Sequence, residues 1–270
     1  MIFVTTMNHK LYENYGMNFL DDFENYAGTE VKLFNVFEGK IPNNLNQNYK
    51  KIQTIPFQCP DHQRFLNFFS NLYEARGLRI EQELNKTNNK INLNFKMDFR
   101  YDAIRFSFKV FAINLIKKME LDTDYLIWTD ADLRCKKKFD KNDLSFVFPE
   151  DNELVSYLGR THFPQNNPFS ECGFLIFNCK NKNFHNFINR MIQIYGTGEI
   201  FSLKEWHDCW VFDETRREYE KKGEKFKNIS RDYSHTEHPF MKSGLEEYFD
   251  HLKGPDRKKA GRSFKEDFIK

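Results

Sequence analysis

Tyr125-Leu126-Ile127-Trp128 runs straight into Thr129-Asp130-Ala131-Asp132, and this junction constrains the chain more than any other stretch. A short apolar run reads as a buried strand. In extended backbone, residues i and i+2 point to the same side, so Asp130 and Asp132 face one point at the strand end. Two carboxylates converging there repel each other unless a cation sits between them. A hard divalent ion, Mg²⁺ or Mn²⁺, meets that need, because such ions take oxygen ligands and bridge carboxylates to substrate phosphates. The plain alternative is a polar turn that holds two aspartates.

The flanking sequence predicts an α/β protein. Residues 2–6 read as a first strand, 7–15 as a polar loop and 31–37 as a second strand. Between loop and second strand, residues 16–26 place Met17, Phe19, Leu20 and Phe23 at helical spacing. A β-loop-α-β opening implies a parallel sheet. Further on, the pattern predicts a strand over 52–57, helices over 61–76 and 101–118, and a surface excursion at 81–94. The helix over 101–118 carries Ile104, Phe108, Phe111, Ala112 and Leu115 on one face. After the aspartates, residues 139–148 read as a small element, 154–158 as a strand and 161–170 as a flexible loop. Residues 172–177 read as a central strand, 183–195 as a helix and 205–219 as loop then helix. The chain ends in loop, with a short helix around 244–249. With no repeat and no linker, one domain over residues 1–258 is expected, followed by a basic tail over 259–270.

Composition narrows the class. Of 270 residues, 40% are apolar and 17% aromatic, which suits a packed globular protein. The net charge of +2 sets up no global field for nucleic acid, although the tail offers a local contact for a membrane surface. Five cysteines without paired spacing imply free thiols and a reducing compartment. There is no basic leader and no run near the ~20 apolar residues of a membrane span. A soluble, cytoplasmic protein is expected.

Five further features accompany the aspartate pair. Thr5 and Thr6 end the first strand, where ligands of open α/β sheets bind, and Tyr15 closes the loop after it. Arg105 and Lys109 lie four apart and share a helix face that can neutralise a diphosphate; a solvated basic face is the alternative. Glu171 and Gly173 open the 172–177 strand, with Gly173 suited to close backbone approach. In Trp206-His207-Asp208, the aromatic suits a pyranose ring and the carboxylate suits sugar hydroxyls, although the tryptophan also suits a core. Finally, His251, Gly254 and Arg257 combine a metal ligand, a turn and a cation.

In this order, these motifs resemble a GT-A-fold glycosyltransferase over residues 2 to about 258. The resemblance implies a Rossmann-like, mostly parallel sheet flanked by helices, with a small antiparallel extension. It implies that Asp130 and Asp132 hold Mn²⁺ or Mg²⁺ against a nucleotide-diphosphate sugar, UDP-sugar being favoured, and that Arg105 contacts this donor. His251 with Gly254 is similar to the His-x-x-Gly-x-x-Lys element of retaining family-eight enzymes, which makes His251 a third metal ligand. Arg257 stands at the Lys place, and Lys258-Lys259 replaces the expected Pro-Trp. Trp206-His207-Asp208 is similar to the Trp-His-Asp-Glu of retaining family-six enzymes, with Cys209 in place of the Glu.

The implied reaction moves a sugar from the donor to a hydroxyl of a glycan, lipid-linked glycan or protein, with retention. Asp208 is the expected catalytic residue. Thr5, Thr6, Tyr15, Arg105, Lys109, Asp130, Gly254 and Arg257 are expected on the donor, and Glu171, Trp206 and His207 on the sugar or acceptor. One alternative is a non-catalytic sugar-nucleotide or glycan-binding module of the same fold. Haloacid-dehalogenase-like phosphatases also end a strand in Asp-x-Asp, but near the domain start and with Thr or Val where Arg134 stands here.

Overall fold

The computed structural model describes residues 1–43, 45, 49–85, 90–160, 169–230 and 239–264, with backbone only at 81–85, 90–93 and 242. The chain begins with β1 (Ile2–Asn8), a helical stretch α1 (His9–Leu11) continued by a π turn (Tyr12–Gly16), and α2 (Met17–Tyr26). Then come β2 (Lys32–Glu38), β3 (Ile52–Pro56), α3 (Pro60–Phe69), the hairpin β4 (Leu78–Asn85) and β5 (Lys90–Met97), and α4 (Ala103–Lys117). The second half holds β6 (Tyr125–Thr129), β7 (Leu133–Cys135), β8 (Glu153–Leu158), β9 (Glu171–Asn178), α5 (Phe184–Gly196) and α6 (Asp208–Lys221). It closes with β10 (Lys225–Asn228), β11 (Phe249–His251) and α7 (Pro255–Ala260).

Seven strands form the central sheet in the order β10-β8-β9-β6-β1-β2-β3. Its pairings are parallel except those of β9, which runs against both β6 and β8. The central strands are covered on both faces, which is why they read as continuous apolar runs rather than alternating ones. Side chains still alternate between two cores. Ile2, Val4, Leu126, Trp128, Leu175 and Phe177 face the core shared with α3 to α6. Phe3, Ile127, Phe174 and Ile176 face the other, with α2, β7 and Phe139. Asp102 caps α4 by accepting from Arg105 N at 3.1 Å.

Several elements depart from the sequence expectations. β1 continues to Asn8, because its ladder with β2 carries on through Met7↔Phe37 and Asn8↔Glu38. Residues 9–16 are helical rather than loop. The helix over 61–76 stops at Phe69 and resumes as a 3-10 turn, Glu74–Arg76, ended by Gly77 at φ 72°. The excursion at 81–94 belongs to the β4–β5 hairpin, paired from Leu78↔Met97 to Asn85↔Lys90. Residues 139–148 hold only a bridge to Ala27 and the 3-10 turn Ser145–Val147. Near 244–249 a 3-10 turn, Leu245–Glu247, leads into β11. The expected loop 161–170 falls almost wholly outside the described residues, as do residues 265–270 of the basic tail, and α7 runs across the expected boundary at 258. No helix among the described residues is long and apolar enough to cross a membrane.

Candidate active site

From β1 the chain steps outward through β2 and β3, then returns to lay β6 on the other side of β1. That reversal is a topological switch point, and the crevice beyond the carboxyl ends of the strands is where such sheets bind ligands. A cleft of about 560 Å³ lies there, lined by Thr6, Tyr15, Arg105, Lys109, Asp130 and Asp132 among others.

Asp130 follows β6 directly. Its backbone N–H donates to Gly173 O at 3.0 Å, and its Oδ1 accepts from Trp128 Nε1 at 2.9 Å. Asp132 is buried. His251 Nε2 lies 3.2 Å from its Oδ1 and Lys258 Nζ 2.6 Å from its Oδ2. Burial works against the Asp132 carboxylate, but His251 and Lys258 outweigh it and hold the group well below the usual carboxylate range. Buried Oδ1 of Asp132 has no hydrogen bond of good geometry. One ligand atom each from Asp130, Asp132 and His251 falls within 4.8 Å of the others. Two carboxylate oxygens and an imidazole nitrogen, one of the oxygens lacking a hydrogen-bond partner, form a donor set that fits a divalent cation.

His251 reaches this point through the β7–β11 pairing, in which it sits opposite Leu133. Asp250 anchors the next turn, its carboxylate accepting from Ser263 N at 2.8 Å. Gly173 makes room: a Cβ there would lie 2.6 Å from His251 Cε1 and 3.3 Å from Asp130 Oδ2. The glycine is required by this close approach rather than by its backbone angles.

Lys109 turns inward from α4. Its ammonium is 3.0 Å from Asp130 Oδ1 and 2.6 Å from Asp208 Oδ2, and it donates to Cys172 O at 2.9 Å. Burial opposes the charged lysine, yet Asp130 and Asp208 hold its pKa well above the ordinary value. Arg105, one turn earlier, is exposed at the cleft. The shared helix face therefore splits into a structural cation and an open one. Asp208, at the start of α6, is 2% exposed. Tyr15 is half-buried on the cleft wall; burial raises its phenol, with Asp132 and Asp130 adding to the rise.

Other expected residues lie away from the cleft lining. Thr5 is fully buried, whereas its neighbour Thr6 lines the cleft and donates to Val36 O at 2.7 Å and to Glu38 Oε1 at 3.1 Å. Glu171 is buried and paired with Arg160 at 2.8 Å and with Lys253. Trp206 packs edge-on against Tyr101 and Phe201. His207 is buried, with Nε2 2.8 Å from Glu205. Gly254 sits before α7 at φ 86°, a left-handed region that favours glycine. Arg257 lies over Phe264, and it is Lys258 that reaches the Asp132 carboxylate.

Sequence reasoning missed Lys258 and Glu38. The nearby His251 and Gly254 drew attention to the motif position at 257, one residue short of the cation that turns inward. Glu38 ends β2 level with Asn8 of β1, so the paired strand ends were the signal. Burial raises the Glu38 carboxyl, against hydrogen bonds from Thr6 and Asn8.

No family model and no curated protein matches the sequence. Among solved structures, the apo form of WbbM, a bifunctional glycosyltransferase, is similar at 12% identity with a TM-score of 0.55, over 99% of this chain and 48% of that one. The fold is of the GT-A type. Apo mouse xyloside xylosyltransferase 1 is similar at 11% identity and TM-score 0.49, over 85% of this chain and 86% of that one. The chain thus spans about half the length of WbbM, and the GT-A fold by itself assigns no donor or acceptor.

Proposed function

We propose that this protein is a metal-dependent glycosyltransferase that moves a sugar from a nucleoside-diphosphate donor to a hydroxyl acceptor. The observation that carries this reading is the convergence of Asp130, Asp132 and His251 at the switch point of the sheet, where both aspartates line a cleft of about 560 Å³. The similar structure of WbbM, named as a bifunctional glycosyltransferase, is consistent with it. We take residues 1–258 as the main transferase unit, with the basic residues that follow packed back on it through Ser263, and UDP-sugar as the favoured donor.

In this reading Asp130, Asp132 and His251 hold the ion. The imidazole in the set favours Mn²⁺ over the more strictly oxygen-seeking Mg²⁺. When bound, the ion supplies charge neutralisation for the departing diphosphate. Arg105 adds a cation at the mouth of the cleft, preorganised before charge develops. Thr6 and Tyr15 line the nucleoside end, while Thr5 supports the wall from within. Gly254 and Arg257 shape the turn that brings α7 over the donor. Lys109 holds Asp208 and Asp130 in fixed relation, so Asp208 steadies the positive charge that grows on the sugar as its bond to phosphate breaks. Glu171, Trp206 and His207 belong to the acceptor side. Asp208 is enclosed and charge-paired rather than free to act as a general base, and we favour retention with same-face attack.

Replacing both aspartates, Asp130→Asn with Asp132→Asn, is expected to abolish the Mn²⁺-dependent thermal shift given by UDP, GDP, CMP or dTDP. An unchanged shift overturns the site. The enclosure of Asp208 also favours a second reading, a non-catalytic sugar-nucleotide-binding module. Slow, metal-dependent hydrolysis of one sugar nucleotide separates the two, since only a transferase cleaves its donor.

A further inference from the structure

Two thiols lie directly behind Asp208, and sugar transfer makes no use of them. Cys172 follows the first residue of β9, and Cys209 follows the first residue of α6. Their sulfurs and a carboxylate oxygen of Asp208 fall within 4.8 Å of one another. Cys172 is buried and Cys209 partly exposed. Three such ligands would suit a soft cation, but a structural zinc site asks for four protein ligands.

The pair is chemically unequal. Burial pushes the Cys172 thiol up, whereas the hydrogen bond from Cys172 draws Cys209 down to about 6, against burial and Asp208. His207 stands beside Cys209; burial opposes its charged form, but Cys209 and Glu205 outweigh this and raise it to about 10. The N-terminus of α6 adds positive potential of its own. Burial raises Cys135 well above the ordinary value and Cys179 to about 12.

We propose that Cys209 and Cys172 form a reactive dithiol that a hydroperoxide oxidises to an intramolecular disulfide beside the donor site. The Cys209 thiolate attacks the peroxide O–O bond, giving a sulfenic acid and releasing hydroxide or alkoxide, which takes up a proton. The Cys172 sulfur then attacks the sulfenic sulfur, an S–S bond forms, and the hydroxyl leaves as water with the Cys172 proton. Two electrons pass from the pair to one hydroperoxide. Bond formation brings the sulfurs to about 2.05 Å. That shift pulls on the Cys172 carbonyl that holds Lys109, and on the helix start that carries Asp208. The resulting loss of donor turnover rests on the transferase reading; the thiol chemistry does not.

The test uses the full chain, reduced and then treated with hydrogen peroxide under native conditions, with its thiols mapped by peptide mass spectrometry. The expected product has lost two hydrogens, links the peptides that contain Cys172 and Cys209, and reverts with dithiothreitol. Cys172→Ser should stop at a sulfenic acid on Cys209, trapped by dimedone. Donor hydrolysis should fall in step with the linked fraction and return on reduction. The proposal is overturned if Cys172 and Cys209 stay freely alkylatable, if another cysteine oxidises first, or if linkage leaves donor hydrolysis unchanged. The wild-type map decides this even if the variant fails to fold. A reduced protein that hydrolyses no sugar nucleotide, yet still closes the 172–209 bond, removes the transferase reading and leaves the dithiol standing.

Discussion

Asp124 just before β6 and Asp132 just beyond its carboxyl end each meet two basic side chains. Asp124, before the strand, pairs with Lys180 at 2.6 Å and with Lys141 at 2.5 Å. Asp132, after the strand, pairs with Lys258 at 2.6 Å and lies 3.2 Å from His251. The chemistry is alike and the surroundings are not. The Asp124 side chain is 34% exposed, against 12% for Asp132. In water, long side chains lose entropy to hold such pairs, and little stability remains. In the enclosed end, desolvation costs more than an ion pair readily returns, so the arrangement must be held by structure: the β7–β11 ladder, the gap at Gly173 and the Asp250–Ser263 anchor. The difference teaches that a functional cluster is marked less by its charges than by what the fold supplies to keep them together out of water.

Four substitutions break or sharpen that comparison. The largest effect is expected from Lys109→Met, which strands Asp208 in the enclosed end without its cation. A loss of about 3–5 kcal/mol in urea unfolding is expected; a loss as small as that of a surface pair would place Asp208 in water. Next is Gly173→Ala, whose methyl meets the His251 ring. It should cost about 1–3 kcal/mol by overpacking and also weaken Mn²⁺ binding in calorimetry, while a stable variant with unchanged Mn²⁺ affinity would separate His251 from the ion. Lys258→Met removes a cation that competes for Asp132. Mn²⁺ should bind roughly two- to fivefold more tightly, equivalent to about 0.5–1 kcal/mol, and weaker binding would instead make Lys258 a supporter of the site.

The smallest effect belongs to Asp124→Asn at the open end, under about 1 kcal/mol at pH 7. Lys141 first, then Lys180, holds the Asp124 carboxyl down to about 2, below an unfolded value of about 3.9. A depressed carboxyl adds stability above its unfolded pKa and loses it as the pH falls through its folded one. Wild type and Asp124→Asn should therefore converge in stability between about pH 4 and pH 2, and a gap that persists at pH 2 would rule out the ion pairs as its source.

Much of the fold was legible in the chain. The apolar runs at Ile2–Val4, Leu126–Trp128 and Phe174–Phe177 mark strands covered on both faces, and the spacing of Ile104, Phe111 and Ala112 marks α4. Elements whose identity depends on a distant partner were not legible. β7 and β11 are three residues each and exist because they pair with one another across more than a hundred positions. The β4–β5 hairpin reads as a polar excursion because its charged and Asn-rich composition hides a period-two signal that the chain does carry: Ile91, Leu93, Phe95 and Met97 alternate with Lys90, Asn92, Asn94 and Lys96. At the site, Asp130, Asp132 and Arg105 could be placed from local geometry alone. The inward turn of Lys109 and the choice of Lys258 over Arg257 could not, because both depend on which carboxylate each cation meets.

By itself the sequence determined that an apolar strand ends in two carboxylates facing one way, since extended backbone alternates its side chains with period two. It also determined the α/β class, through the order of its periodic segments. Tertiary structure alone decided which groups answer those carboxylates. His251 arrives through a strand pairing formed more than a hundred residues later, past a glycine that leaves it room, and Lys109 is drawn between Asp130 and Asp208. The reason is physical: a charge taken out of water needs its partner within a few ångströms, and only the folded chain brings residues so far apart in sequence that close.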